Sequence, residues 1–163
     1  MIEVKLTPRE IRACINVAAD RLTASTEAGH NHASTYQRGL LLRMQQEIVG
    51  ACGEMAFAKG RGMFWSPSVN TFHKSPDITG RGKDIEIRST ELDKGCLFVR
   101  HNDDPKRWYI LMTGEPPVMR ARGYILGQSA MCDEFYWEPK GERPTWKVPQ
   151  SALTPFHDQR VGF

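Results

Sequence analysis

The chain has no C-x-x-C pair, no apolar run near the roughly 20 residues that cross a bilayer, and no large excess of either charge. Each absence removes a class of function. Cys14, Cys52, Cys96 and Cys132 stand far apart, which excludes a thiolate zinc cluster and a redox pair, so reduced, buried thiols are expected. Without an apolar span, a membrane is not an expected partner. The opening residues, MIEVKLTPRE, lack the basic, apolar and small-residue order of a signal peptide, and a cytoplasmic location is the default expectation. A net charge of +3 announces no nucleic-acid binder, although it permits one whose basic residues gather on one face. Neither a Gly-rich phosphate loop nor a Ser or Cys nucleophile motif is present. Repeats and low-complexity tracts are absent too. What remains is a chain of 163 residues with 40% hydrophobic and 25% charged residues, the composition of one ordinary globular domain over 1–163.

Thr7-Pro8-Arg9-Glu10 has the capping-box form and precedes Ile11, Ile15, Ala18 and Leu22 at helical spacing, which predicts a helix over about 8–23. After the polar loop TASTEAGHNHAST, Ser34 or Thr35 can cap a longer helix reaching about Lys59, with an apolar stripe of Leu41, Met44, Ile48, Cys52 and Met55. Gly50, Ala51, Gly53, Ala56 and Ala58 crowd its second half, as suits a helix lying close against a sheet. From Met63 onward short β-rich runs take over: MFWSPSV, a hairpin around residue 81, CLFVRHN, RWYILMTG and VMRARGYILG. A short helix is expected over about Ser129–Trp137, and TWKVP as an edge strand. Helices, then a mostly antiparallel sheet, then a helix make an α+β fold.

The hairpin SPDITGRGKDIEIRSTE carries acids where apolar or neutral residues are the rule. A two-residue turn at Arg81-Gly82 and a four-residue turn over Gly80–Lys83 give the same register, setting Ile78 opposite Ile85 and Asp77 opposite Glu86. Asp84, Glu86 and Arg88 then share one face. Opposed residues have Cβ atoms about 5 Å apart, and like charges about 4 Å apart repel by roughly 4 kcal/mol at an effective dielectric of 20. Two such acids need either full hydration on an open face, with Arg88 in a surface ion pair, or a compensating cation. Converging carboxylates suit Mg²⁺ or Mn²⁺.

Pro76-Asp77, followed by Glu86-Ile87-Arg88 on the next strand, resembles the PD-(D/E)xK motif of the restriction-endonuclease-like nuclease superfamily. The element order is similar to that family's core of helix, antiparallel β-meander, helix and strand, here with an N-terminal helix and a C-terminal extension. In such proteins an acid on the first core helix completes the metal site, and Glu54 in GACGEMAFAKG occupies that place. The stretch from about 47 to 127 also resembles small phage proteins of this type, with Asn102-Asp103 and Gly123-Tyr124-Ile125-Leu126-Gly127 matching a recurrent N-D turn and G-Y/W-I-x-G strand. The resemblance implies hydrolysis of DNA phosphodiesters, endo- or exonucleolytic. Asp77, Glu86 and the Ile87 carbonyl would bind the ion, Glu54 would bind it through water or hold a second one, and Arg88 would stabilise charge in the transition state. The family usually has Lys at the Arg88 position, and arginine stays protonated at physiological pH, so Arg88 is not a general base. Lys83 has the wrong strand parity to replace it, and Lys59 lies on another side of the helix from Glu54.

Arg100, Lys106, Arg107, Arg120 and Arg122 are candidates for a phosphate-tracking surface, with Trp108 or Trp137 stacking on bases; they stand equally as scattered surface charges and core tryptophans. His30 and His32, lacking a third nearby ligand, read as a solvated loop. The expected partners are DNA and a second copy of the chain. The alternative is a nuclease fold without activity, serving as a DNA-binding accessory module or as a phage regulator that binds a host protein.

Overall fold

A computed structural model of the chain describes residues 1–29, 39–69, 75–80, 82–140 and 143–156. Helix α1 (Pro8–Glu27) begins with the capping box: the Thr7 amide donates to Glu10 Oε2 at 2.7 Å and the Glu10 amide donates to Thr7 Oγ1 at 3.3 Å. Lys59 Nζ, near the end of α2 (Leu40–Arg61), donates to the same Glu10 oxygen at 2.8 Å, which ties the start of one helix to the end of the other. The Glu10 carboxyl is held below its usual range, first by Lys59 and then by the Thr7 amide. Helix α2 stops at Gly62, whose φ of 63° closes a left-handed cap that a side chain would strain.

Helix α1 packs against α2, and α2 lies on one face of a five-stranded mixed sheet. Its strands are β1 (Ile2–Lys5), β2 (Ile78–Gly80), β3 (Lys83–Thr90), β5 (Trp108–Thr113) and β6 (Val118–Leu126), in the order β1-β6-β5-β3-β2. Strand β4 (Leu97–Arg100) leaves this sheet and pairs with β8 (Thr145–Val148), which pairs in turn with β7 (Tyr136–Trp137). That excursion brings the chain back to run β5 parallel to β3, because a parallel neighbour cannot be reached by a tight turn. The central strand β5 is buried on both faces. Ile110 and Met112 share one buried cluster with Cys14, Phe57, Ile78, Ile85 and Ile87 on the helix side, while Tyr109 and Leu111 share another with Leu97, Val99 and Val148 of the second sheet.

The fold is α+β, and several expectations need correction. The sheet is mixed rather than an antiparallel meander: the hairpins β2–β3 and β5–β6 are joined by a parallel pairing, and β4 belongs elsewhere. MFWSPSV forms no strand. The helix expected over 129–137 is a short α3 (Gly127–Ala130), then a 3-10 turn at Asp133–Phe135 and strand β7. TWKVP holds a central strand of its sheet rather than an edge. Ser34, Thr35, His30 and His32 lie outside the described residues, and α2 has Gly39 at its N-cap. Strand β1 is an unforeseen addition. Cys14 and Cys52 are buried and free; Cys96 and Cys132 are free but only partly covered. Among the described residues no helix is long and apolar enough to cross a membrane.

Close packing of α2 on the sheet depends on Gly53. A β-carbon there would run into the Ser89 hydroxyl and come within 3.1 Å of Ser89 Cβ. Gly53→Ala should therefore destabilise the fold by about 1–3 kcal/mol despite alanine's better helix propensity, and adding Ser89→Gly should recover part of the loss. Urea unfolding of the single and double variants checks this; a Gly53→Ala chain as stable as wild type would refute it.

Candidate active site

The β2–β3 register pairs Ile78 with Ile85, Thr79 with Asp84 and Gly80 with Lys83. Ile78 and Ile85 are almost wholly buried on the helix side, so strand alternation turns Glu86 and Arg88 to the opposite face. Asp77, just before β2, hooks onto β3: its Oδ2 accepts the Ile87 amide at 2.7 Å.

Glu54 and Glu86 lie near enough for their charges to act on Asp77, and the three carboxylates are each held differently. Glu54 is 5% exposed on α2, and Arg21 of α1 clamps it with both guanidinium nitrogens, at 2.6 Å to Oε1 and 2.9 Å to Oε2. Trp65 adds its indole N–H to Oε2 at 3.1 Å, and Arg21 Nε donates to the Ser68 carbonyl at 2.9 Å. The segment after α2 thus wraps over Glu54, with its indole and carbonyl committed to that contact rather than to a sheet. Glu86, 3% exposed, lies between Arg88 Nη1 at 3.0 Å and Arg107 Nη1 at 3.1 Å. Arg88 Nη2 reaches Asp103 Oδ2 at 2.8 Å, and that oxygen also accepts the Arg100 amide. The N-D turn is therefore the anchor that fixes the guanidinium of Arg88.

Charge inside the cluster is felt most strongly at Asp77. Burial, then the neighbouring charges of Glu54 and Glu86, push its carboxyl up to about 8, against the pull of the Ile87 amide and Arg88. For Arg21, burial opposes the charge, but the hydrogen bonds and field of Glu54 outweigh it and raise its pKa. Arg88 is raised in the same way, with burial offset by Asp103 and Glu86. Glu47, two helical turns before Glu54 on α2, belongs to the same cluster: burial and Glu54 lift its pKa, while Arg21, Arg43 and Arg100 oppose the rise.

Oxygen donors of this kind suit a hard divalent cation, and the crowding at Asp77 is what such an ion would relieve. The carboxylates are nonetheless well occupied. Of the six oxygens of Glu54, Asp77 and Glu86, only Asp77 Oδ1 accepts no hydrogen bond from a described residue. Among the described residues no three acids, His or Cys are grouped at metal-binding spacing. The set matches an ion in donor type, but guanidinium groups already hold the cationic positions beside Glu54 and Glu86.

The basic candidates separate. Arg107 is 8% exposed and directed at Glu86, so it belongs to the buried network and not to a phosphate-tracking surface. Arg120 pairs with Glu3 at 2.8 Å, and Arg122 with Asp93 and Thr113 Oγ1. Thr113 faces Thr90, four residues beyond Glu86 and roughly 13 Å along the strand, which puts both arginines away from the cluster. Lys106 is exposed in the turn before β5. Arg100 is exposed near the cluster, and its guanidinium has no ion-pair partner among the described residues. Trp108 packs edge-on against Tyr124 beneath Lys83, whereas Trp137 is exposed. Lys59 is committed to Glu10.

Sequence reasoning missed Arg21, Glu47 and Trp65, and it singled out Asp103 only as part of the N-D turn, without its role as the anchor of Arg88. The seven-residue spacing of Glu47 and Glu54 places them on one helix face and was a usable signal; Arg21 had none, because only the packing of α1 on α2 brings it to Glu54. In comparisons with known proteins, no protein-family model, curated protein or solved structure matches the chain.

Because Asp77 binds its proton more tightly folded than unfolded, the folded state holds the extra proton between about pH 4 and pH 8, and stability falls as pH rises through that window. Asp77→Asn keeps an acceptor for the Ile87 amide and removes the penalty. It should exceed wild type in stability at pH 9 by on the order of 1–3 kcal/mol, with the advantage fading toward pH 4. Urea titrations across pH in chelator-treated buffer measure this; an advantage independent of pH would refute it. Arg21→Ala should cost about 3–5 kcal/mol, since it strands the buried Glu54 carboxylate, and adding Glu54→Gln should return much of that loss.

Proposed function

We propose that the chain is a divalent-cation-dependent deoxyribonuclease of the PD-(D/E)xK type. The observation that carries this reading is Asp77, anchored on the Ile87 amide and close enough to Glu54 and Glu86 for both charges to raise its pKa. A fold gains nothing in stability from driving three acids together. Asp77 and Glu86, with the Ile87 carbonyl, would hold Mg²⁺ or Mn²⁺, and Glu54 would hold it through water or take a second ion. Held by these residues, a divalent ion would supply Lewis-acid chemistry for a phosphate oxygen and its attacking water.

The chain's own residues supply position and charge. Arg88, cationic at any physiological pH and fixed between Glu86 and Asp103, meets negative charge that builds on the phosphate oxygens. Arg21 and Trp65 hold Glu54 in one orientation. Arg100, exposed beside the cluster, meets an incoming phosphate.

A second reading has its own support. Arginine stands where the superfamily usually has lysine, and guanidinium and indole donors already satisfy both oxygens of Glu54 and Glu86. Such a network suits a nuclease-like domain that binds DNA or a host protein without cutting.

Plasmid nicking and thermal melting decide between them. Wild type should nick DNA in Mg²⁺ or Mn²⁺ but not in chelator; Asp77→Ala and Glu86→Ala should lose at least about 100-fold, and Arg88→Lys should retain activity. Mn²⁺ at about ten times its Kd should raise the wild-type Tm by several degrees, an increment absent from Asp77→Ala. A folded wild type that neither nicks DNA nor responds to Mn²⁺ would refute the nuclease and favour the second reading.

A further inference from the structure

The second sheet presents an outer face that the site does not use. Strand alternation sends Leu97, Val99 and Val148 into the core, and so turns Phe98, Arg100 and Lys147 outward. Trp137 lies opposite Thr145, which lies opposite Arg100, so one row across the three strands reads Arg100, Thr145, Trp137. The next row sets Phe98 opposite Lys147. Phe98 and Trp137 are 39% and 37% exposed, yet their ring centroids are 5.9 Å apart, so the two side chains lean toward each other across β8. Lys147 Nζ sits 5.0 Å from the Trp137 ring.

The charge on this face is one-sided. The three strands, LFVR, YW and TWKV, contain two cations and no acid. Neither Arg100 nor Lys147 has an ion-pair partner among the described residues, and Arg143, just before β8, lies close enough to Arg100 for the two charges to interact. Two partly exposed aromatic rings flanked by cations that have no ion-pair partner among the described residues suit a polyanion that also offers flat apolar faces. In a duplex those faces are stacked on one another; in a single strand they are free. The face also connects with the cluster, because the Arg100 amide and the Arg88 guanidinium share Asp103 Oδ2.

We propose that the outer face of β4, β8 and β7 is a stacking platform for single-stranded DNA, with bases on Phe98 and Trp137 and phosphates on Lys147, Arg100 and Arg143. This deepens, and rests on, the reading of the neighbouring cluster as a deoxyribonuclease site: it names an unpaired strand as the substrate delivered there.

Fluorescence anisotropy of the full chain with a labelled thymidine oligonucleotide of about 12 nucleotides, in chelator so that nothing is cut, tests the platform separately from catalysis. Trp137→Ala and Phe98→Ala should each weaken binding by about 5- to 100-fold, Trp137→Phe should keep most of it, and Lys147→Gln should lower the salt slope by about 0.7. Melting curves establish that each variant is folded. The same sequence as a duplex should bind more weakly and be indifferent to Trp137→Ala. Binding that follows these variants in a chain that never nicks DNA would remove the nuclease function and leave the platform standing. Unchanged binding by folded Trp137→Ala and Phe98→Ala, or binding of duplex DNA or of the matching RNA as tight as that of the single strand, would overturn the proposal.

Discussion

The pairing of Ile78 with Ile85 fixes the rest. Both side chains enter the core beneath the helices, so the register of β2 on β3 is set by apolar burial, worth about 1.5–3 kcal/mol for each side chain. A slip of one residue would turn Glu86 and Arg88 into that core and bring Ile85 out of it. Once the pair is seated, Asp77 must lie beside Glu86, and the Ile87 amide is within its reach. The repulsion that follows is the cost of a register chosen by hydrophobic packing, and the arginines around the cluster offset it.

Those arginines come from four places: Arg21 from α1, Arg88 from β3, Arg107 from the turn before β5, and Arg100 from β4. The first three form ion pairs with the acids, and Arg100 is tied in through its backbone amide on Asp103. Arg21 joins the helix pair, and Asp103 joins the excursion through β4 to the strand that bears Glu86. Buried ion pairs are weak contributors to net stability, because desolvation consumes most of the Coulomb gain, but leaving one partner alone is costly. The network therefore specifies how the elements fit together more than it strengthens them. It also concentrates field at Asp77, the one acid of the three with an oxygen that accepts no hydrogen bond from a described residue.

The second sheet gives the molecule its other face. Because β4 leaves the main sheet, the chain between β3 and β5 contributes both an apolar inner layer, through Leu97 and Val99, and the outward Phe98 and Arg100. The same excursion places Asp103 against Arg88. One topological choice thus makes the parallel pairing, the anchor of the cluster and the exposed aromatic face.

The sequence by itself determined what depends on near neighbours. The capping box at Thr7, the alternation of Ile85 and Ile87 with Glu86 and Arg88, the facing of Ile78 and Ile85, and the approach of a small-residue helix to the sheet are all written in spacing, because each is decided within a few residues. The α+β class follows from the order of those patterns. Strand β1 and the split into two sheets were not legible, since a strand's partner is chosen by long-range burial that leaves no local mark. The same holds for the site. Asp77, Glu86 and Glu54 could be picked out by position, but that Arg21 clamps Glu54, that Trp65 caps it, that Asp103 fixes Arg88 and that Arg107 is buried were decided only in three dimensions. A guanidinium reaches across elements, and which carboxylate it finds depends on how those elements pack.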